Sequence, residues 1–492
     1  MATNKLKILY AAAEVVPFAK TGGLADVAGA LPKVLAEMGH DVRIVMPRYS
    51  QIDGAKYGLR PITDEFSIPH GHDWIDISIE QSDTIPGVPT YFIRNDYLFD
   101  RNSLYGQGDD DHRFIAYSRG TMEMFEKIGW MPDVISCNDW HTGLMPVYIK
   151  TLYANRPGFR DIGTLFTIHN LAYQGVFPRD VMELAGLPWH LFTWDKLEFY
   201  GKFDFMKAGL VYADTLSTVS PTYAKEIQTP EFGEGLQGVL SYRKNVLSGI
   251  LNGIDYSIWN PCTDNLLPAT FSKDDFTGKL TCKLALQKAM GLPENVQVPV
   301  FGLISRLSSQ KGLDLLDQVL PRLLEHEKMQ VVILGTGDQY YHDMLTRLAE
   351  KHPEKLALAL KFDNTLAHEI YAGSDAFLMP SHYEPCGLGQ MISLAYGTLP
   401  IVHATGGLAD TVKEFSKSVG TGNGFVFREY TGKAFTNALH RALRCYCDQE
   451  CWQQAMQNAF ASKFSWEGSA QQYVNVYQEA ISLARKQEAA IA

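Results

Sequence analysis

The sequence predicts an α/β protein built from two Rossmann-like, doubly wound domains that face one another. Two stretches carry this prediction, each with a strand-length apolar run, a glycine loop and a helix-like pattern. The first runs from residues 7–12 into a loop at residues 20–23, and the second follows residues 399–403. The six residues from Thr21 to Asp26 recur in the same order from Thr405 to Asp410. One such match is weak, but two matches after two strands indicate a repeated nucleotide-type unit.

Length and composition limit the classes of function. With 492 residues, 46% of them hydrophobic, the chain suits two domains of about 200 residues or more. A net charge of −11 without a compensating basic face argues against nucleic acid as a partner. The sequence has no run of membrane-spanning length, and a strand begins too early to leave room for a secretion signal. We therefore expect a cytoplasmic protein that binds a small ligand or a neutral polymer, although a removed plastid transit peptide would leave no trace.

The cysteines favour a reducing compartment. There are seven, an odd number without regular spacing, so the sequence predicts no disulfide framework. Cys445, Cys447 and Cys451 are close together but lack histidines in zinc-site order, and we expect them to be ordinary helical cysteines. Aromatic residues make up 12% of the chain, which suits sugar-stacking surfaces and, more commonly, large cores.

The most informative stretch surrounds Glu384. An apolar run of strand length ends at Pro380, and a helix-like pattern over residues 391–395 ends before Gly397. Glu384 therefore lies where a strand is followed by a helix. In an open α/β sheet this carboxyl edge is the usual ligand crevice.

Polar residues follow other predicted strands in the same way. Asp139 and His141 follow the run 133–137, His169 follows 164–168, and Lys20 lies in the first glycine loop. A lone Asp or His most often has a structural role, but four such residues at one sheet edge favour a functional site. The polar loop 98–113 contains Tyr105 and is long enough to be a lid or an acceptor loop.

The second predicted domain begins with a strand at residues 300–304. Arg306 and Lys311 lie at opposite ends of the following loop, where they could grip a diphosphate from two sides. We place the domains at residues 1–260 and 261–465, with a C-terminal helix at 466–492. The sequence also predicts a helix over residues 202–213 and a surface hairpin, rather than a metal site, at residues 70–73.

Together these motifs resemble the ADP-glucose-dependent glycogen and starch synthases, which are retaining glycosyltransferases of the GT-B fold. The resemblance covers essentially the whole chain, and the motifs in this order are very specific. The motifs that carry it are Lys20-Thr21-Gly22-Gly23-Leu24, Asn138-Asp139-Trp140-His141, the stretch from His169 to Gly175, Asn252-Gly253-Ile254-Asp255, Ser305-Arg306-Leu307 with Gln310-Lys311-Gly312, Glu384-Pro385-Cys386-Gly387-Leu388, and Thr405-Gly406-Gly407-Leu408.

The resemblance implies a fold and a reaction. The two domains would face one another across a deep cleft, and the last helix would cross back to the N-terminal domain. The enzyme would transfer glucose from ADP-glucose to the non-reducing end of an α-1,4-glucan or maltooligosaccharide, with retention of configuration. ADP-glucose would be a co-substrate, and no metal or other cofactor would be required. Glycogen or starch as product, granule association and oligomeric state stay open.

The resemblance also implies roles for individual residues. Lys20 and the Gly22 and Gly23 amides would approach the diphosphate and glucose, while Arg306 and Lys311 would neutralise the departing ADP. Glu384 would bind glucosyl hydroxyls. The implied catalytic set is Lys20, Asp139, His169, Arg306, Lys311 and Glu384. The implied acceptor set is Tyr105, Asp139 and His169, and the implied donor set is Lys20, Gly22, Gly23, Asn252, Arg306, Lys311, Phe362, Glu384, Cys386, Gly387, Leu388, Thr405, Gly406 and Gly407.

The sequence departs from many bacterial members at Ala395 and His403, where those carry basic residues. This leaves the nucleotide preference open. One alternative is a GT-B enzyme that uses UDP-glucose or a small acceptor, which would act without a glucan primer. Another is an inactive glucan-binding scaffold, which would be expected to have lost residues such as Lys20 or Glu384; both are present.

Overall fold

The chain forms two compact units in a computed structural model that describes residues 5–491, with side chains described to residue 486. The first unit comprises Met1–Asn252 and Trp466–Ala492, and the second comprises Gly253–Ser465. The sequence placed the junction after residue 260 instead. The difference arises because the Ile254 N–H donates to the Phe464 carbonyl at 2.8 Å, which ties this segment to the end of the second unit. No helix among the described residues is long and apolar enough to cross a membrane.

The first unit alternates strands and helices along most of its length. Its strands are β1 (Lys7–Ala11), β2 (Asp41–Pro47), β3 (Arg60–Pro61), β4 (Phe66–His70), β5 (Asp73–Ser82), β6 (Thr90–Arg94), β7 (Val134–Asn138), β8 (Gly163–Ile168), β9 (Val176–Phe177), β10 (Glu198–Phe199), β11 (Lys202–Asp204), β12 (Thr215–Thr218) and β13 (Leu247–Gly249). Its helices before the junction are α1 (Gly23–Glu37), α2 (Asp96–Phe99), α3 (Asp110–Ile128), α4 (Leu144–Lys150), α5 (Val181–Leu184), α6 (Phe205–Tyr212), α7 (Pro221–Glu226) and α8 (Gln237–Tyr242).

In the described residues these strands form a ten-stranded sheet and a small three-stranded one. The large sheet has the order β13-β12-β8-β7-β1-β2-β6-β5-β3, with β4 paired to β5. It is parallel from β13 to β6, and β5 adds an antiparallel edge. The small sheet, β10-β11-β9, is antiparallel. Helix α1 buries Leu24, Val27, Leu31 and Leu35 against the large sheet's core, as its apolar spacing predicts.

The second unit is also a doubly wound α/β domain. Its elements are α9 (Thr277–Ala289), β14 (Val300–Ile304), α10 (Leu313–His326), β15 (Gln330–Leu334), α11 (Gln339–Lys351), β16 (Leu356–Ala359), α12 (Asn364–Gly373), β17 (Ala376–Met379), α13 (Gly389–Ala395), β18 (Leu399–His403), α14 (Gly406–Thr411), β19 (Phe425–Phe427), α15 (Gly432–Tyr446) and α16 (Gln449–Ala461). The strands form a parallel sheet in the order β16-β15-β14-β17-β18-β19.

Helix α17 (Trp466–Ile491) packs on the first unit. Its apolar residues Ala470, Val474 and Tyr477 are buried, and the Tyr477 hydroxyl lies 3.1 Å from Ser136 Oγ on β7. Gly163, the first residue of β8, allows a close approach, since a Cβ there would lie 2.6 Å from the Ile481 nitrogen. The C-terminal segment therefore completes the core of the unit that the N-terminus begins.

Two local expectations are wrong. The predicted helix over residues 202–213 begins only at Phe205, because Lys202–Asp204 pairs as a strand and Asp204 caps the helix by accepting the Lys207 N–H at 3.0 Å. Cys445 and Cys451 are joined by a disulfide, whereas Cys447 is free and exposed. Because α15 ends at Tyr446, the chain turns and brings the two Cα atoms to 5.4 Å, which a continuous helix would not allow.

Candidate active-site residues at the carboxyl edges of the two sheets

The first sheet has a topological switch point between β1 and β7. From β1 the chain moves outward to β2 and β6, and from β7 it moves to β8, β12 and β13 on the other side. The loops that follow β1 and β7 therefore leave the same carboxyl edge in opposite directions, which opens a crevice there. Lys20, Glu14, Asp139 and His141 lie on these two loops.

Glu14 holds the glycine loop. Its Oε2 accepts the backbone N–H groups of Thr21 and Gly22, the latter at 3.0 Å, and the residue is 2% exposed. Burial raises the pKa of this carboxyl above its usual range, and the two N–H donors act in the opposite direction. The sequence assigned the Gly22 amide to the donor, but this amide is bound to Glu14 within the protein. Sequence reasoning missed Glu14, and its position directly after a buried strand was the available signal.

Lys20 lies at the outside of the same loop. Its ammonium group is 2.7 Å from Asp26 Oδ1, and its side chain is 43% exposed. Burial raises the pKa of Asp26, with Lys20 lowering it in part. Gly23 is the first residue of α1 and Gly22 its N-cap. A partly exposed cation thus lies at a helix N-terminus, where an anionic ligand would be favoured.

Asp139 and His169 follow neighbouring strands and contact one another. Asp139 has a positive φ of 55°, and its Oδ1 accepts the His169 N–H at 2.7 Å. Burial raises the pKa of Asp139 to about 7, against the effect of this N–H donor. Burial also lowers the pKa of His169 to about 3, so its imidazole is neutral. His169 Nε2 is 2.9 Å from Asn138 Oδ1, a pairing that assigns the hydrogen to Nε2 and leaves Nδ1 as an acceptor.

Tyr105 contacts two residues at this sheet edge, Glu14 and His141, that are distant from it in sequence. Its hydroxyl donates to Glu14 Oε1 at 3.3 Å, and its ring centroid is 4.6 Å from that of His141. His141 stacks on Trp140 at 4.0 Å, and in the described part of the chain neither of its ring nitrogens has a hydrogen-bond partner. Burial holds the pKa of His141 well below its usual range. The sequence counted His141 among the four candidate residues at this edge without giving it a role, and its two buried, unpartnered nitrogens make it a candidate hydrogen-bonding residue.

The loop that carries Tyr105 is tied to helix α3. Arg113 is fully buried, pairs with Asp110 Oδ1 at 2.5 Å and donates to the Leu104 carbonyl at 2.8 Å. Asp110 Oδ2 accepts the Gly106 N–H at 2.6 Å. Of the two roles expected for this loop, these contacts favour a fixed binding loop over a lid.

Asp139 should give the enzyme a pH dependence. Because its pKa is raised to about 7, the carboxylate gains a proton as the pH falls through that value. We expect kcat/KM for the acceptor to fall below about pH 7, since the protonated group no longer accepts hydrogen bonds as an anion. Initial rates measured from about pH 5.5 to about pH 8.5 test this. Asp139→Asn should remove this pH dependence. Glu14→Gln should keep it but move it to lower pH, because the Glu14 charge contributes to raising the pKa of Asp139. A flat wild-type profile would contradict the assignment.

The second sheet has its own switch point between β14 and β17. The chain moves from β14 to β15 and β16 on one side, and from β17 to β18 and β19 on the other. Lys311 on the loop after β14 and Glu384 on the loop after β17 form an ion pair at 2.7 Å. Ser381 Oγ also donates to Glu384 at 3.0 Å, and Glu384 is 6% exposed. The ends of β14 and β17 therefore bring together a cation and a carboxylate that lie 73 residues apart in the sequence.

Glycine makes this approach possible. Gly312 has φ 73°, and a Cβ there would lie 2.0 Å from the Pro380 carbonyl oxygen at the end of β17. The repeated glycine loop is equally close to Glu384, since the Gly407 N–H donates to the Glu384 carbonyl at 3.1 Å. A Cβ at Gly406 would lie 1.9 Å from this oxygen. Gly406 and Gly407 therefore pack directly against the Glu384 loop, and the Gly407 amide is bound within the protein. Thr405 is the N-cap of α14.

The residues after Glu384 form the start of α13. Cys386 is buried, Gly387 has φ 72°, and Leu388 is the N-cap of the helix. Gln390 donates to the carbonyls of Cys386 at 3.0 Å and Gly387 at 2.9 Å, which fixes the turn. These predicted donor residues thus share one ordered loop with Glu384.

The remaining predicted donor residues are Arg306, Phe362 and Asn252. Arg306 is exposed on the loop after β14. Phe362 is 82% exposed and follows β16, with β15 and β14 between it and β17. Asn252 belongs to the first unit, is 5% exposed and has no hydrogen-bond partner for Oδ1 among the described residues. Their roles in donor binding stay predictions.

The chain is similar to known proteins along nearly its whole length. Residues 7–242 match the family described as starch synthase catalytic domain, and residues 289–459 match glycosyl transferases group 1. The glycogen synthase of Desulforudis audaxviator is 48% identical, with 98% of each chain covered. That of Thermotoga maritima is 45% identical over 97% of this chain and 99% of its own.

Solved structures agree with the fold. The catalytic domain of starch synthase IV from Arabidopsis thaliana, bound to ADP and acarbose, matches with a TM-score of 0.91 and 35% identity, covering 97% of this chain and 100% of that one. Sucrose-phosphate synthase from Thermosynechococcus elongatus has the same fold, with a TM-score of 0.61 at 17% identity and the same coverage. The predicted GT-B fold of two Rossmann-like domains is therefore confirmed. The chain belongs to the glycogen and starch synthase family of glycosyltransferases.

Proposed function

We propose that this enzyme transfers glucose from ADP-glucose to the non-reducing end of an α-1,4-glucan, with retention of configuration. The observation that carries this proposal is the Lys311–Glu384 pair, with its carboxylate buried, at the switch point of the second sheet. In open α/β sheets this position binds ligands. The relatives named glycogen synthase, and the similar starch synthase IV structure that holds ADP and acarbose, support the choice of substrates.

The reaction breaks the bond between glucose C1 and the diphosphate oxygen. Positive charge develops on the sugar ring and negative charge on the departing ADP, so fixed cations beside the diphosphate stabilise the transition state. Lys311 and Arg306 supply such cations from one loop, and we assign Lys20 the same role from the resemblance of its own glycine loop. When Lys311 binds phosphate, Glu384 is left to accept hydrogen bonds from the glucosyl hydroxyls and to stabilise positive charge near the ring.

A covalent glucosyl–Glu384 intermediate is not part of this proposal. Glu384 Oε2 accepts a hydrogen bond from Ser381 Oγ that does not depend on Lys311, and this bond lowers its nucleophilicity. We favour displacement on the same face of the sugar. The acceptor's 4-hydroxyl oxygen bonds to C1 as the C1–O bond to the diphosphate breaks, and the leaving phosphate takes the hydroxyl proton. Configuration is then retained without a protein nucleophile.

In this proposal, residues of the first unit bind the glucan acceptor. Tyr105, Asp139 and His169 offer a hydroxyl, a carboxylate and a neutral imidazole acceptor; the Tyr105 ring contacts His141, and Asp139 accepts the His169 N–H. Neutral sugars are bound by such polar groups without a requirement for net charge. We further propose that the cations make a metal ion and other cofactors unnecessary.

Incorporation of radiolabelled glucose from ADP-glucose into glycogen tests the proposal. We expect incorporation that requires a glucan primer, persists in EDTA and exceeds that from UDP-glucose under the same conditions. A strong preference for UDP-glucose, or equal transfer without primer, would favour the alternative donor or small acceptor. Absence of transfer from either donor, with retained binding to starch, would favour the inactive scaffold.

A further inference from the structure

The small sheet β10-β11-β9 contains an unusual turn. Phe199 pairs with Lys202, so Tyr200 and Gly201 are the two loop residues of a β-hairpin. Both have positive φ, 48° and 79°, which defines a type I′ turn. This turn favours Asn-Gly and similar pairs, since a bulky side chain in the left-handed region costs about 1–2 kcal/mol.

The Tyr200 side chain contributes little to the stability of the fold. Its ring is 81% exposed, so it buries almost no apolar area. Among the described residues only three non-glycine residues have positive φ, namely Asp139, Tyr200 and Glu234. Asp139 belongs to the candidate site, and backbone strain of this kind concentrates at functional positions. The strained Tyr200 therefore points to a ligand.

The turn is held on a rigid support. A Cβ at Gly235 would lie 2.9 Å from the Phe199 ring and 3.5 Å from Tyr200 Cε2, so the Glu234-Gly235 turn lies against these rings. The buried Lys207 ammonium donates to the carbonyls of Trp194 and Glu198, each at 2.5 Å. Trp194, which is 80% exposed, is thus carried by a segment tied to helix α6.

The small sheet is continuous with the candidate acceptor group. Its strand β9 contributes Phe177, whose ring centroid is 5.8 Å from that of Trp140. Trp140 in turn stacks on His141. A Cβ at Gly175, just before β9, would lie 2.3 Å from the Trp140 ring. The small sheet and the residues around Tyr105 and His141 are therefore packed together within the first unit.

We propose that Tyr200 and Trp194 form a stacking surface that binds glucosyl residues of the acceptor chain beyond the one that reacts. This inference rests on the proposed function. Exposed aromatic rings on bonded segments suit the apolar faces of pyranose rings, and the chain's net charge of −11 favours a neutral polymer over a polyanion. The surface would bind long glucans and contribute nothing to a short acceptor.

Two variants and a control test the surface. Tyr200→Asn restores a residue that the turn favours, and Trp194→Ala removes the second ring. Tyr340→Ala, on α11 of the second unit, removes a tyrosine that is 62% exposed. Binding to glycogen is measured without donor by affinity electrophoresis, and kcat is measured with saturating maltotriose. We expect the dissociation constant for glycogen to rise about tenfold in each test variant and to stay unchanged in the control.

The remaining readouts separate the possible failures. We expect kcat with maltotriose to stay within about twofold and the Tm of Tyr200→Asn to equal or exceed that of wild type, because strain is relieved. Unchanged glycogen affinity in an active enzyme would overturn the inference while leaving the proposed function standing. Altered sedimentation without a change in glycogen affinity would overturn it in favour of a second copy of the chain. Wild type that transfers glucose neither to glycogen nor to maltotriose would refute the proposed function itself.

Discussion

Replacing Glu384 by alanine is expected to lower kcat by about a thousandfold, or about 4 kcal/mol of transition-state stabilisation. The carboxylate is buried beside Lys311 at the switch point, where its charge acts in a poorly solvated environment. We assign it the glucosyl hydroxyls and the positive charge that develops on the ring. Steady-state rates with ADP-glucose and maltotriose measure the effect, and near wild-type turnover would refute the assignment.

A matched double variant distinguishes this role from a structural one. Removing Glu384 alone leaves Lys311 without its carboxylate, which lowers the free energy of unfolding by about 1–3 kcal/mol. Lys311→Met combined with Glu384→Leu removes both charges and should recover most of that loss. Turnover should stay low in the double variant. Recovery of turnover together with Tm would show that the pair only holds the two loops together.

Replacing Lys20 by alanine is expected to lower kcat by about a hundredfold to a thousandfold. Its ion pair with Asp26 is substantially exposed, at 43% and 35% of the side chains, so its loss costs the fold at most about 1 kcal/mol. The Lys20→Ala variant should therefore show a large loss of kcat while its Tm stays nearly unchanged.

Lys33→Ala provides the control for Lys20. This lysine is partly exposed on the same helix α1, but it lies away from the glycine loop. We expect wild-type rates from it. Equal losses in both variants would indicate a general effect of charge on the helix, and wild-type rates in Lys20→Ala would remove this residue from the donor site.

The positions at which the strands of the site end could be predicted, because local sequence patterns mark where each strand stops. Pro380 ends one apolar run, and glycine loops follow the others, so Lys311 and Glu384 could be placed at carboxyl edges from the sequence alone. Their 2.7 Å contact depends on sheet order, which brings β14 beside β17. Spacing along the chain carries no direct record of that order.

Other contacts were not predictable for the same reason. Glu14 lies 91 residues from Tyr105 in sequence, yet the two side chains meet in the fold. The hydrogen bonds from the Thr21 and Gly22 amides to Glu14 depend on the path that the loop after β1 takes in the folded protein. The disulfide between Cys445 and Cys451 likewise depends on where α15 ends, and helix ends are among the least certain features of a sequence.

The most direct test of the central claim follows one reaction by ¹H NMR, with ADP-glucose and maltotriose as substrates in EDTA. We predict that ADP and maltotetraose appear together in equal amounts and that the new linkage has the α configuration. A β-linked product would contradict retention by same-face displacement. Release of ADP without a longer glucan would contradict transfer to the glucan altogether.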